Sequence, residues 1–172
     1  MAKQYFRQDA PEAETFHVTS FEECYELMSN LHDCPFDLEE AIFDNSISQW
    51  TGKFLRPLWE SPEVERDRQK LILSRFFTTE RLRVPAAKAI VRVHGVAQVQ
   101  IVSDQGIRLY TFNELKATNV GIRLDFCEAM RIELDLANRV DVTYDEAHFP
   151  SVRLAYTNFP FGSQTGPRVE DV

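Results

Sequence analysis

This 172-residue sequence predicts an α+β fold that is mainly β, with an N-terminal helix and an antiparallel meander sheet of six to eight strands, curled or folded as a sandwich. Two observations lead to this prediction. A capped amphipathic segment lies near the N-terminus, and short segments of alternating apolar and polar residues follow one another from residue 88. The length fits one domain, and the 44% hydrophobic content with 13 phenylalanines is enough for a buried core.

The helix is predicted over Phe21–Asn30. Ser20 followed three residues later by Glu23 is a capping box, a pair that satisfies free backbone N–H groups at a helix start. Apolar residues recur behind it at helical spacing: Phe21, Cys24, Tyr25, Met28 and Leu31. Pro35 prevents the helix from continuing, because proline has no N–H and clashes with the preceding turn.

Residues 36–69 give weaker patterns. Asp37 and Glu40 repeat the capping-box spacing and allow a short helix, whereas "ISQWTGKFLRPLW" (47–59) is typical of extended chain after a turn at "DNS". The segment "SPEVERDRQ" (61–69) is interpreted as a charged connection or one helical turn. Its Ser-Pro start favours a helix, but no apolar stripe follows.

Alternation along the chain predicts the sheet. A first strand is expected at "LILSRFF" (71–77), and Pro85 is expected to interrupt the chain before "KAIVRVHG" (88–95). Later segments place apolar residues on one face and polar residues on the other, so that one face meets the core and one meets water. The core-facing residues predicted in this way are Val99, Ile101, Ile122, Leu124, Phe126, Met130, Ile132, Leu134, Leu136, Val140, Val142 and Tyr144. Val152–Tyr156 is predicted as the last strand.

The predicted organisation has three parts. Residues 1–18 form a loose lead-in with an extended piece at Thr15–Val18, residues 19–161 form the single α+β domain, and residues 162–172 form a disordered polar tail. The start of the sequence has no apolar signal region, and no apolar run is long enough for a membrane span. Three cysteines without a CxxC pair favour reduced thiols and therefore the cytoplasm.

The net charge of −8 argues against general nucleic-acid binding, which requires cations to neutralise phosphates. Residues 8–52, the acidic segment, hold eleven Asp or Glu and no Lys or Arg. Residues 66–92, the basic segment, hold eight Lys or Arg against two acids. Two interpretations follow: the two segments neutralise each other inside the chain, or one of them meets a charged partner.

The densest cluster of reactive residues is "HDCPFDLEE" (32–40). His32, Asp33, Asp37 and Glu40 offer nitrogen and oxygen ligands of the kind that bind Zn²⁺, Mn²⁺ or Ca²⁺, although their spacing matches no established metal motif. A nucleophilic Cys34 is disfavoured, because neighbouring carboxylates oppose formation of a thiolate. No catalytic residue is therefore predicted. The alternative interpretation is structural, with aspartates capping short elements and Cys34 turned inward.

The candidate binding residues fall into three groups. The carboxylates of the predicted helix form one group, two tryptophans mixed with cations form the second, and a basic pair on one strand forms the third. These candidates are Glu22, Glu23, Glu26, Trp50, Trp59, Arg92 and His94. Core packing is the alternative for the tryptophans, and a surface turn is the alternative for His94.

Taken together, these observations favour a non-enzymatic interaction module that binds a basic protein partner, with an inhibitor or immunity-like role as one form by analogy. Neither nucleic acid nor a membrane is an expected partner, no cofactor is required, and the oligomeric state stays open. Two alternatives remain. One is a metal-assisted hydrolase centred on His32, Asp33, Asp37 and Glu40, which would need a divalent metal. The other is a binder of a small apolar ligand in a curved sheet.

Overall fold

The computed structural model describes residues 13–66, 82–103, 106–156 and 168–171. Within these residues there are the α-helix α1 (Phe21–Ser29), a 3-10 turn at Leu38–Glu40, a further helical piece at 62–66, and eleven strands. The strands are β1 (Ala13–Val18), β2 (Pro35–Asp37), β3 (Ile42–Asp44), β4 (Gln49–Pro57), β5 (Leu82–His94), β6 (Val96–Val102), β7 (Leu109–Ala117), β8 (Gly121–Phe126), β9 (Arg131–Leu136), β10 (Val142–Tyr156) and β11 (Arg168–Asp171).

Every strand pairing is antiparallel, and the strand order is β1-β10-β5-β4-β2-β7-β8-β9-β6, with β11 on β10 and β3 on β4. The short strand β2 joins two groups of strands, because Phe36 pairs with Phe54 on one side and with Tyr110 on the other. A second link is Gly95, whose φ of +69° turns the chain sharply from β5 into β6. The sheet is not closed.

One core is shared by the inner faces of both strand groups and by α1. Its centre is aromatic: the ring of Phe36 lies 4.9 Å from the rings of Phe54 and Phe126, and Phe54 meets Phe112 edge-on at 5.6 Å. Such pairs add about 0.5–1.5 kcal/mol each beyond the area that they bury. Most of the alternating residues predicted to face inward on β8 and β9, such as Leu124 and Leu134, are buried, while Leu136 at the end of β9 is half-buried.

Helix α1 forms where the capping box predicts it. The Ser20 Oγ accepts the N–H of Glu23 at 3.2 Å, and the helix ends at Ser29 with Asn30 as its C-cap. Cys24, Leu27 and Met28 form its buried face. The helix follows β1 and is therefore the second element of the fold.

The mainly β antiparallel character is confirmed, but the number of strands was predicted too low. Two extra strands arise because β10 is long enough to pair with β1 along Val142–Ala147 and with β11 along Val152–Ala155. The segment 162–172, predicted as a disordered tail, contains strand β11 at Arg168–Asp171, and the extended piece predicted at Thr15–Val18 forms most of β1. Both segments are short, and only pairing with a distant strand specifies them.

Two further strand boundaries differ. Pro85 lies inside β5, where its missing N–H is tolerated because the register of β10 shifts between Phe149 and Arg153, opposite this point. Val152–Tyr156, predicted as a separate strand, continues β10 past that irregularity. The predicted strand at 71–77 lies outside the described residues. Among the described helices, none is long and apolar enough to cross a membrane.

Candidate functional site

The acidic segment divides into two parts that differ in what they face. In the first part, β2 and the 3-10 turn, Asp37 accepts hydrogen bonds from the Arg108 guanidinium at 2.6 and 2.8 Å. Glu39 adds a second contact to Arg108 at 3.2 Å. Burial would raise the pKa of Asp37, but the hydrogen bonds from Arg108 and the backbone outweigh it and lower that pKa.

Glu40 completes this internal neutralisation. Its carboxylate lies 3.2 Å from the Lys53 ammonium and 3.6 Å from that of Lys88, a member of the basic segment. The carboxylates at positions 37–40 therefore face cations of the same chain. The contact between Glu40 and Lys88 joins the acidic segment to the basic segment, while Arg108 and Lys53 neutralise the rest of this part from outside the basic segment.

The second part, the acidic helix face, consists of Glu22, Glu23 and Glu26 on α1. Glu22 and Glu26 are exposed, and within the described residues neither side chain forms an ion pair. Glu23 is half-buried and accepts the Ser20 hydroxyl at 3.3 Å. The helix has no basic residue in its last turn. This face consequently presents negative charge to solvent.

A groove of about 420 Å³ runs beside this face, between the end of α1 and β7; we call it the α1–β7 groove. Its lining comprises Tyr25, Ser29, His32, Phe112, Asn113, Glu114 and Leu115. Tyr25 is 47% exposed and, three residues after Glu22, it places an aromatic ring beside that carboxylate on the helix surface.

His32 closes one end of the α1–β7 groove. Its Nδ1–H donates to the Asn113 carbonyl at 2.5 Å, since a carbonyl oxygen can only accept, and its Nε2 lies 3.6 Å from the carboxylate of Asp33. Asp33 has a φ of +63°, and its N–H donates to the Phe112 carbonyl. These bonds tie the chain after α1 onto β7 and fix the shape of the groove.

The predicted metal set does not assemble. His32 lines the α1–β7 groove with the Asp33 carboxylate 3.6 Å away, whereas Asp37 and Glu40 are engaged by Arg108, Lys53 and Lys88. In the described part of the chain, no group of three or more His, Cys, Asp or Glu is arranged to hold a metal ion. The predicted metal site stays a prediction without support from this geometry, because cations of the chain already neutralise Asp37 and Glu40.

Cys34 is buried, and burial raises the pKa of its thiol to about 12. A thiol with that pKa stays protonated near neutral pH and is a poor nucleophile. The burial of Cys34 agrees with the structural interpretation of "HDCPFDLEE". Asp37 caps the 3-10 turn by accepting the Glu39 N–H at 3.0 Å.

The other predicted binding residues have different surroundings. Trp50 is buried and stacks on Phe36 at 6.3 Å, which is the core packing given as the alternative to a binding role. Trp59 is 45% exposed on the turn after β4. Arg92 pairs with Asp145, and the His94 Nε2 lies 2.9 Å from the Thr143 hydroxyl; both therefore have partners on β10.

A second groove, of about 440 Å³, lies beside β2, β4 and β7. Five charged side chains line it together with Leu109, Val169 and other apolar residues: Asp37, Glu40, Lys53, Lys88 and Arg108. The other five lining residues are apolar, so the groove combines charged and apolar side chains in equal number.

A buried charged cluster was not predicted from the sequence. The Arg56 guanidinium donates two hydrogen bonds to the Glu146 carboxylate, at 2.6 and 2.9 Å, and Tyr144 donates to the same carboxylate at 2.7 Å. Arg56 and Glu146 are 7% and 3% exposed. Glu60, nearer the surface, accepts from Arg56 at 2.9 Å.

The strand pattern explains how these charges come to lie inside. Arg56 continues the inward row of Trp50 and Phe54 on β4, and Glu146 continues that of Tyr144 on β10. Between them β5 places only alanines: Ala87 is opposite Arg56 and Ala89 is opposite Glu146. The small side chains leave room for the two long ones to meet. Following the alternation of β4 beyond Phe54 would have identified Arg56.

Hydrogen bonding also sets the protonation of this cluster. Burial would lower the pKa of Arg56, but its bonds to Glu146 and Glu60 outweigh burial and raise it. Burial, followed by the charge and hydrogen bond of Glu146, raises the pKa of Tyr144 above its usual range. The arginine is thus fixed as a cation and the tyrosine as a neutral donor, which suits a structural cluster.

No protein-family model matches the chain, and neither a curated protein nor a solved structure matches it significantly. Function is therefore inferred from the side chains of this chain alone.

Proposed function

We propose that the protein is a non-enzymatic interaction module of the cytoplasm that binds a basic protein partner through the acidic helix face and the adjoining α1–β7 groove. The observation that carries this proposal is the contrast within the acidic segment. Asp37 and Glu40 are matched by cations of the chain, whereas Glu22 and Glu26 are exposed without an ion pair among the described residues.

The chemistry of the face favours a Lys- or Arg-bearing segment as the ligand. Glu22 and Glu26 are four residues apart and Tyr25 is three residues after Glu22, so the three side chains share one side of the helix. A guanidinium can pair with a carboxylate and stack on an exposed tyrosine ring at the same time. The net charge of −8 would steer such a partner from a distance.

The surroundings of the thiols are in keeping with this reading. Cys24 and Cys34 are buried with the pKa of each thiol raised to about 12, and all three cysteines of the chain are free. Free thiols suit a reducing compartment such as the cytoplasm. An inhibitor or immunity-like role, in which an acidic surface covers a basic site, is one form of the proposed function by analogy.

Titration with a short Lys/Arg-rich peptide, followed by NMR, tests the proposed face directly. We expect peptide-induced shifts to concentrate on α1 and β7, and affinity to fall with added salt because the contacts are exposed. The double variant Glu22→Lys/Glu26→Lys should weaken binding at least about tenfold, which corresponds to ~1.4 kcal/mol.

The matched control is Glu39→Lys/Asp135→Lys, which changes the net charge equally at positions away from α1. Equal weakening by both double variants would mean that net charge alone attracts the peptide, and unchanged binding by the first would reject the face. The same pair of variants, used as bait beside the wild type, then discriminates a specific cellular partner from proteins that bind any acidic surface.

A further inference from the structure

Strand β6 (Val96–Val102) ends the strand order and has one unused edge. Its pairing is with β9 on the other edge, and across the described residues no strand pairs with the free edge. The exception is its first residue, where the Val96 N–H donates to the Ser48 carbonyl at 2.8 Å. From Ala97 onward no backbone group in the described part of the chain bonds to that edge, so it can accept another strand.

Natural proteins protect such edges with charges, prolines or irregular geometry. Residues 93–103 contain no Asp, Glu, Lys, Arg or Pro. One irregularity is present, a register shift between Val96 and Gln98, but it affects only the start of the strand. The stretch Gln98–Val102 thus combines strand-forming residues with none of the usual protection.

The face of β6 that is turned toward the core is not fully covered by it. Val99 and Ile101 pair with Leu134 and Ile132 of β9, both completely buried, so all four side chains are on the same face of the sheet. Ile101 is nevertheless 49% exposed, contrary to the burial that its alternation predicts. Ile101 is exposed because β6 is the last strand in the strand order, so no neighbouring strand among the described residues covers its outer side. An additional strand would remove apolar surface from water as well as satisfy backbone groups.

The sequence of β6 reads almost the same in both directions. In Val-Ala-Gln-Val-Gln-Ile-Val the central residue is Val99, glutamines flank it, and apolar residues follow on both sides. A two-fold axis through Val99 would place each Gln98 opposite Gln100 of the second copy, and apolar residues opposite apolar residues. Antiparallel pairing of two identical strands has this isologous symmetry.

We propose that the β6 edge is a self-association site, at which two copies of the chain pair antiparallel about Val99 and continue the sheet from one molecule into the other. The second copy is the favoured occupant because the near-palindromic sequence makes the edge complementary to itself. The absence of charge also permits close approach of two molecules that are each strongly acidic. Since the Val96 N–H already donates to the Ser48 carbonyl, only a short stretch of β6 is available for pairing. Dimer formation should therefore depend on protein concentration.

Two double variants at exposed positions test both the edge and the register. Gln98→Lys/Gln100→Lys places lysines opposite lysines twice across the axis, whereas Gln98→Lys/Gln100→Glu places a lysine opposite a glutamate twice. Sedimentation equilibrium over micromolar to millimolar protein measures the dissociation constant. Circular dichroism and thermal melts establish that both variants keep the wild-type fold.

We expect the wild type and the Lys/Glu variant to dimerise, and the Lys/Lys variant to dissociate at least about tenfold more readily. The Lys/Lys variant carries less net charge than the wild type, so weaker association could not come from overall repulsion. A wild type that stays monomeric overturns the proposal. Unchanged dimerisation of the Lys/Lys variant would also overturn it, because the two copies would then pair through another surface. Equal weakening of dimerisation in both variants would exclude the proposed register about Val99.

Discussion

The buried cluster at Arg56 gives the sharpest prediction for stability. Replacing Glu146 by glutamine leaves the Arg56 cation inside the protein without its principal partner. Removing one member of a buried ion pair costs about 3–5 kcal/mol. Arg56 donates two hydrogen bonds to Glu146, and it also donates one to Glu60, whose side chain is one-third exposed.

The expected cost is therefore at the lower end of that range, about 3 kcal/mol for Glu146→Gln. Tyr144→Phe removes one hydrogen bond to a charged group and should cost about 1.5 kcal/mol. A domain is stabilised by only about 5–15 kcal/mol in total, so the first variant loses a substantial fraction of its stability.

Urea denaturation at neutral pH measures these free energies of unfolding. The control is the double variant Arg56→Met/Glu146→Met, which removes both charges and leaves neither one unpaired. We expect it to be more stable than Glu146→Gln despite carrying two substitutions. A loss below about 1 kcal/mol in Glu146→Gln, or a double variant that is less stable than the single one, would refute the reasoning.

Two further predictions concern the core and the neutralised acidic turn. Gly52→Ala should cost about 1–3 kcal/mol, because a Cβ would lie 2.3 Å from the buried Trp50 ring; an unchanged denaturation midpoint with unchanged tryptophan fluorescence would contradict it. Arg108→Gln should lower stability at neutral pH but not in strong acid. The pKa of Asp37 is lower in the folded state than its ordinary value of 3.8, so ionised Asp37 stabilises the fold at pH values above 3.8. This contribution is lost as the pH falls through the folded-state pKa. Urea midpoints compared across pH test this, and a deficit that persists in acid would show that Arg108 acts by another route.

The elements that local interactions specify could be predicted from the sequence. Helix α1 needs only its own cap and its own apolar face, and both lie within twelve residues of chain. The strands β8 and β9 show alternation that is independent of their partners. The same local logic marked Pro35 as the end of the helical segment, and Asp37 as the cap of the short turn that follows.

The candidate site was predicted in part. The acidic helix face was identified as a set, because helical spacing places Glu22 and Glu26 together. The α1–β7 groove was missed, since Asn113 and Glu114 come from a strand about eighty residues away; His32 and Asn113, for example, are 81 positions apart. Proximity of that kind has no local signature.

What the sequence by itself determined is the class of the fold, its helix, most of its sheet and the uneven distribution of charge. What only the tertiary structure decided is which charges meet. Arg56 and Glu146 are separated by 90 positions and Asp37 and Arg108 by 71, yet each pair shares hydrogen bonds, while Glu22 and Glu26 keep their charge exposed. The physical reason is that capping and periodicity act between neighbours along the chain, whereas ion pairing and strand pairing act between residues that only folding brings within reach.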